Sequence, residues 1–462
     1  MEKTKILYDG DMGGDDLWAI AMLLAHRDRF DIRGIASVFG NVSQPFATRN
    51  IANFLHWLGV DDIETVQGAD TPCDGMRPFG DDAYGEGGVG GVILPESPQA
   101  CPTVDIADWY AAKLDEAMPD PSAQSGTAAS GGSALYKAAQ NGTALDESAH
   151  DKTTQGGTAF DGSTLDKAPQ DTEKFDGSPL EKAAQGGVVF DRSAPDISAQ
   201  GGVALDGSAP DKTAQGDAAF NGAVPDKISG KAPDKASGPV TVLATGPITN
   251  LALFAQKYPQ KTAKIREIIW MGGGMTPPGK GGKPVLLENG AIRSGNIMPY
   301  AEFNAYQDPK ALNILLETGI RIVFMAADAS QNMVLTPERQ DRIAAIDSLY
   351  APSFHRMLMA VAALDMGKFG VDGPFIHDPN VAIYALRPDL YKGRAVPALA
   401  FHEAEPASEH RGEALECGKP DGKANAFWLD GVTDTEEIFT LMLESLKTTI
   451  AQAAENRARL AG

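Results

Sequence analysis

The constraint that narrows the fold most is a repeated alternation of continuous apolar runs with helical patterns. "TKILYDGD" is followed by "DDLWAIAMLLAHR", "IRGIASVFGN" by "FATRNIANFLHWLG", and "VTVLATG" by "ITNLALFAQKY". "IREIIWMGGG" and "IRIVFMAADAS" add two further strand-like runs. Unbroken apolar runs separated by helices indicate a parallel sheet covered on both faces. The pattern predicts an α/β fold with a Rossmann-like core: an open, mostly parallel sheet with helices on both sides. In such sheets ligands bind beyond the carboxyl ends of the strands. Those ends carry Asp9, Asp11, Asp15 and Asp16, then Asn41, then Thr245 and Gly246, then Gly272 to Gly274, then Asp328.

The alternation is interrupted once. Between about Pro119 and Gly238 a phrase recurs, as in "QGGTAFDGSTLDKAP" and "QGGVALDGSAPDKTA", with glutamines at 140, 155, 170, 185, 200 and 215. That spacing is a tandem repeat of 15 residues. Each unit is rich in Gly, Ala, Ser, Asp and Pro, which is too little burial to offset the entropy of ordering. A finer beat of five (Phe160-Asp161, Leu165-Asp166) suits a β-solenoid, but every third pentad lacks its apolar residue. The composition therefore predicts disorder for 119–238. Residues 1–118 and 239–462 form one discontinuous domain. The helix "ADWYAAKLDEAM" ends where the insertion begins and "VTVLATG" starts where it ends. That places the repeat in a helix-to-strand loop, at the amino end of a strand.

Charge and cysteine content bound the function. The chain has 40 Lys+Arg against 62 Asp+Glu, a net charge of −22, and no basic stripe of the kind nucleic-acid binders use. Cys73, Cys101 and Cys417 are odd in number and far apart, so they form no disulfide framework or zinc motif. "MEKTKILYDGD" enters a strand pattern without a leader, and no apolar run reaches the ~18 residues a membrane span needs. These features predict a cytoplasmic protein.

Four aspartates in the first loop, "DGDMGGDD", repel one another unless something compensates them. A solvated acidic turn leading into a helix would use one or two acids near the helix N-terminus. Four exceed that need and suit a hard cation, since calcium takes six to eight oxygens and magnesium six. "GNIMPYAEFNAYQDP" places Asn296, Glu302 and Asn304 around Phe303, and a polar loop with one buried aromatic would read the same way. "GPFIHDPNVAIYAL" sets His377 and Asp378 before Pro379, which alone would be an Asp cap with Pro in the first turn.

Together these stretches resemble the inosine-uridine nucleoside hydrolase family. That family opens on Asp-x-Asp-Pro-Gly-x-Asp-Asp, and "DGDMGGDD" matches with Met12 in the proline place. "GN" at 40–41, "ATGPITN" at 244–250, "MGGG" at 271–274, "AEFN" at 301–304 and "HDP" at 377–379 follow in the family's order. The resemblance implies Ca2+ held by Asp11, Asp16, Asp378 and the carbonyl of Thr245, with Asp11 also taking the proton of the attacking water. It implies ribose contacts from Asp15, Asn41, Asn296, Glu302 and Asn304, with Met271 and Phe303 lining the pocket and His377 beside the base. The implied reaction is hydrolysis of the N-glycosidic bond of ribonucleosides in nucleoside salvage, by a homodimer or homotetramer. Cleaving that bond builds positive charge on the sugar, as in other glycosyl transfers.

The departures are specific. Members that accept pyrimidines or several bases commonly carry a histidine in a "HG" pair on an early loop, and Tyr84-Gly85 stands in that place here. Tyr84 can stack on a base or donate a hydrogen bond, but it is not an imidazole acid. Gly10 and Met12 also differ from the bulkier or stiffer residues usual there. Base preference is therefore open, and another N-riboside such as nicotinamide riboside remains an alternative substrate. Two further alternatives are a non-catalytic nucleoside-binding or scaffold protein and an aspartate-nucleophile phosphatase built on Asp9 and Asp11. The phosphatase needs a lysine after a later strand, which "ATG" and "MGGG" do not supply.

Overall fold

A computed structural model describes residues 2–76, 85–99, 101–118, 240–275, 295–417 and 426–461. The expectations for the repeat at 119–238 and for Tyr84 lie outside these residues. The chain runs through β1 (Thr4–Gly10), α1 (Gly14–Ala25), β2 (Phe30–Ser37), α2 (Gln44–Trp57), β3 (Thr65–Gln67), α3 (Ile106–Ala117), β4 (Val240–Ala244), α4 (Thr249–Lys257) and β5 (Ile265–Met271). It continues through α5 (Phe303–Gln307), α6 (Pro309–Glu317), β6 (Ile322–Met325), α7 (Ala327–Ser330), α8 (Pro337–Ala344), α9 (Ala351–Leu358), α10 (Ala362–Phe369) and α11 (Pro379–Leu386). β7 (Tyr391–Val396), β8 (Leu399–Phe401), β9 (Ala414–Glu416), β10 (Ala426–Val432) and α12 (Thr435–Ala461) follow.

Eight strands form one sheet in the order β3-β2-β1-β4-β5-β6-β10-β7, and β8 pairs with β9 in a separate hairpin. Every neighbour in the large sheet is parallel except β7, which runs antiparallel to β10 at one edge. The mostly parallel α/β sheet expected from the sequence is therefore what the chain forms.

The strands are apolar throughout because both faces are covered. Ile6 and Tyr8 pack into one core with Leu243, Ile269, Met271, Val323 and Met325. Leu7 packs into the other with Val242, Ile268, Trp270 and Phe324. Successive side chains alternate between faces, so each strand feeds both cores. Helix α1 is buried along its whole length, which explains why "LWAIAMLLA" carries no charge. Thr449 of α12 donates to the Ala21 carbonyl at 2.6 Å, and the Trp18 indole donates to the Phe354 carbonyl at 2.7 Å.

The strand order reverses at β1. β2 and β3 lie on one side of it, and the chain returns to add β4 on the other. A crevice opens at such a switch point, beyond the carboxyl ends of the two strands. Here those ends are the Asp11 to Asp16 loop and Thr245. Among the described residues, no helix is long and apolar enough to cross a membrane.

Candidate active site

The acidic loop leaves β1 at Gly10 and turns sharply. Met12 has φ 55, the single non-glycine residue at positive φ among those described. Gly13 then precedes α1, and its N–H donates to Asp16 Oδ2 at 2.8 Å. The turn drives the acids inward, and Asp11, Asp15 and Asp16 are all buried.

Asp378 approaches from the start of α11. Oxygens of Asp15, Asp16 and Asp378 lie within 4.8 Å of one another. Asp11 joins this group through a hydrogen bond with Asp16. Thr245 closes one side, its hydroxyl 2.5 Å from Asp16 Oδ1 and 2.7 Å from the Tyr8 hydroxyl. Burial first, and then the neighbouring carboxylates, hold Asp11, Asp16 and Asp378 well above the usual carboxylate range. Among the described residues, no basic side chain forms an ion pair with Asp11, Asp16 or Asp378. Carboxylates so placed must take up either protons or a cation. The donors are all oxygens, which fits a hard dication.

Asp9 has a different job. Its Oδ2 accepts the Tyr110 hydroxyl at 2.6 Å and the Asn250 amide at 3.0 Å, which ties β1 to α3 and α4. Burial pushes its carboxyl up to about 7. An acid bonded in this way is unsuited to act as the nucleophile that the phosphatase alternative requires.

The expected sugar-binding residues converge on the same rim. Asn41 grips Asp11 twice, its main-chain N–H 2.6 Å from Oδ2 and its amide nitrogen 3.0 Å from Oδ1. The Asn304 amide donates to the carbonyls of Thr245 and Met271, both at 3.0 Å, which leaves its Oδ1 to accept. Glu302 caps α5. Its oxygens take N–H bonds from Gly273, Asn304 and Ala305 at 2.8–3.1 Å, and burial pushes its carboxyl up to about 7. Asn296 Oδ1 accepts the Phe303 N–H at 2.8 Å. Glu302 and Asn296 thus already spend lone pairs on shaping the loop. His377 is buried, with Nδ1 2.8 Å from the Ser330 hydroxyl, and burial pushes its pKa down to about 4. The imidazole is therefore neutral near pH 7.

The family model described as "Inosine-uridine preferring nucleoside hydrolase" matches residues 6–437. The chain belongs to this family. A stretch of 147 residues is 33% identical to an uncharacterized protein of Schizosaccharomyces pombe. Another of 143 residues is 31% identical to a pyrimidine-specific ribonucleoside hydrolase of Klebsiella pneumoniae. These stretches cover 32% and 31% of this chain, and 42% and 40% of the two relatives, so the chain spans less than half the length of the curated relatives it matches. A plant nucleoside hydrolase superposes with a TM-score of 0.61 at 18% identity, covering 96% of this chain and 99% of that one. The purine-preferring ribonucleoside hydrolase from Gardnerella vaginalis gives 0.60 at 16%, covering 97% and 99%. At such identities these likenesses show a nucleoside hydrolase fold.

Two site features of this nucleoside hydrolase family member escape sequence reasoning. Ser330, at the end of α7, orients His377, and only its position after β6 hinted at a site. Asp365, on α10, is buried, feels the charge of Asp15, and accepts the Phe375 N–H at 2.9 Å; burial pushes its carboxyl up to about 7. Nothing in "AALDMGKF" separates it from an exposed helical acid.

Gly10 explains itself sterically. A Cβ there would sit 2.4 Å from Asp16 Oδ1 and 2.6 Å from Thr245 Oγ1. Gly10→Ala is expected to cost ~1–3 kcal/mol through overpacking, read as a lowered urea midpoint. An unchanged midpoint would show that Thr245 and Asp16 can separate freely.

Proposed function

We propose that this chain hydrolyses the N-glycosidic bond of ribonucleosides to free base and ribose, using a calcium ion held by Asp11, Asp16, Asp378 and the Thr245 carbonyl. The observation that carries this reading is the packing of four buried carboxylates at the switch point, with no basic partner for Asp11, Asp16 or Asp378 among the described residues. When bound, the ion supplies Lewis acidity and an anchor for oxygen ligands. Asp11, oriented by Asn41, accepts a proton from the attacking water as the new C1′–O bond forms. Asp15 and Asn304 Oδ1 accept from the ribose hydroxyls and fix the sugar for in-line attack. The C1′–N bond breaks and its electron pair leaves on the base, which must gain a proton or a hydrogen bond. His377 is the side chain proposed to give that help, through Nε2, and Ser330 sets its tautomer.

The test is a panel of purine and pyrimidine ribonucleosides scored for free ribose, with the enzyme first stripped by chelator. Ribose release should vanish on stripping and return with calcium. A non-catalytic nucleoside binder would retain the ligand and release no ribose. Full activity in a demonstrably metal-free sample would refute the calcium assignment.

The role of His377 has its own test. A purine needs help to depart, whereas p-nitrophenolate does not. His377→Ala should therefore lower kcat for inosine by ~10²–10⁴-fold and leave a p-nitrophenyl riboside nearly untouched. Equal losses on both substrates would remove His377 from the reaction and leave it as packing beside Asp378.

A further inference from the structure

A second group of ligating side chains lies on the β8–β9 hairpin. Its ladder pairs Phe401 with Ala414 and extends one step further, where the His402 N–H donates to the Glu413 carbonyl at 2.9 Å. The connecting turn brings His410 back, with the Glu413 N–H donating to the His410 carbonyl at 3.0 Å. One nitrogen from each of His402 and His410 and one oxygen of Glu413 consequently lie within 4.8 Å of one another. His410 Nδ1 is 2.8 Å from Glu413 Oε2. Glu409 Oε1 is 3.5 Å from His410 Nε2. His402 is exposed and the other two are half-buried, so an ion can reach them from solvent.

The turn that carries this group is anchored from beneath. Arg411, between the ligands, is fully buried; it donates to the carbonyls of Tyr306, Ala404 and Gln307 at 2.7–3.1 Å and pairs with Asp74 at 2.8 Å. Gly412 has φ +80, and a Cβ there would lie 2.6 Å from the Tyr306 backbone, so the turn lies directly on α5. Ordering already established by folding need not be supplied when a ligand binds.

We propose that His402, His410 and Glu413 form a second metal site, selective for a transition-metal dication of the zinc type and separate from the acidic centre. Two imidazoles and one carboxylate suit zinc or cobalt, whereas calcium and magnesium take oxygen donors. The two centres would thus sort ions by donor chemistry. A tetrahedral zinc site with bonds of about 2.1 Å needs its ligands about 3.4 Å apart. The three ligand atoms already lie within 4.8 Å of one another, so small side-chain rotations suffice to reach that spacing. The metal binds through neutral imidazole nitrogens and the ionised carboxylate. Water completes the coordination.

The site has a route to the sugar rim. The Tyr300 ring stacks on His410 at 4.6 Å with an interplanar angle of 16°. Tyr300 lies in the same segment as Asn296 and Glu302. Fixing the His410 ring fixes the surface on which Tyr300 rests, and occupancy therefore steadies residues 295–302.

The experiment uses the full chain without an affinity tag, stripped by chelator, saturated with calcium and then titrated with cobalt(II). One equivalent per chain should bind, with the visible absorption of a nitrogen-ligated site, and zinc should displace it. His402→Gln and His410→Gln should each weaken binding by at least ~10-fold, while the calcium-induced rise in Tm stays as in wild type. Zinc should also slow amide exchange across 295–302 in the wild type and not in His410→Gln. Cobalt binding that disappears once calcium is present would overturn the proposal, because the ion would then occupy only the acidic centre. A titration unchanged in both histidine variants would overturn it equally, and would leave His410 and Glu413 as an ion pair closing the hairpin.

Discussion

Asp16→Ala is expected to abolish calcium binding and ribonucleoside hydrolysis together. The carboxylate has three neighbours that matter: the Gly13 N–H at 2.8 Å, the Thr245 hydroxyl at 2.5 Å, and the Asp11 carboxyl. Losing the bond to Gly13 costs α1 a cap, which is worth about 1 kcal/mol. Losing the negative charge relieves repulsion within the cluster, so without calcium the two effects oppose each other and the variant should fold. The large effect appears with calcium. A ligand that binds only the native state stabilises it by about 2.7 kcal/mol at a hundred times its Kd. Wild type should gain a corresponding rise in Tm on calcium addition and Asp16→Ala should gain none. Its kcat should fall by at least ~10³-fold, in line with removal of a principal electrostatic stabiliser. Asp16→Asn keeps the shape and removes the charge, and it should behave like the alanine variant. A preserved calcium-dependent rise in Tm in either variant would sink the assignment of Asp16 as a ligand.

The second large effect concerns the sugar. Ribonucleosides should exceed their 2′-deoxy analogues in kcat/KM by ~10⁴-fold or more, the range seen where a site built for a hydroxyl meets a substrate without one. The reason lies in burial. Asp15 and Asn304 are buried, and the Asn304 amide nitrogen is already committed to two carbonyls. Asn304 Oδ1 is therefore the side-chain atom expected to accept from the ribose, and removing the hydroxyl removes that bond. The check is a direct comparison of inosine with 2′-deoxyinosine. Similar kcat/KM for the two would refute the sugar-binding roles of both residues.

The sequence made the centre of this molecule readable and its margins much less so. β1, β2, β4, β5 and β6 are buried on both faces, and their unbroken apolar runs announce them. β3 has three residues, and β7 is exposed along most of its length, so neither carries a recognisable period. The order of the strands depends on these edges and on β10, which explains why a sheet was legible and its full topology was not. The site shows the same division. "DGDMGGDD" advertised an acidic centre because four carboxylates in one loop demand compensation. It did not reveal that Asp9 serves Tyr110 and Asn250 instead, since those partners lie far away along the chain. Ser330 and Asp365 take their roles entirely from tertiary packing, and no local pattern marks them.

The acidic cluster joins the loop after β1 to the start of α11, two places far apart along the chain. During synthesis Asp11, Asp15 and Asp16 emerge before β6, and Asp378 follows only after β6 and the helices that succeed it. The cluster of carboxylates stays incomplete on the ribosome until the start of α11 has appeared. A dication can then act only as a late clasp, fastening an arrangement that packing has already built. A product cut short before Asp378 would keep the strands from β1 to β6 and lack the clasp.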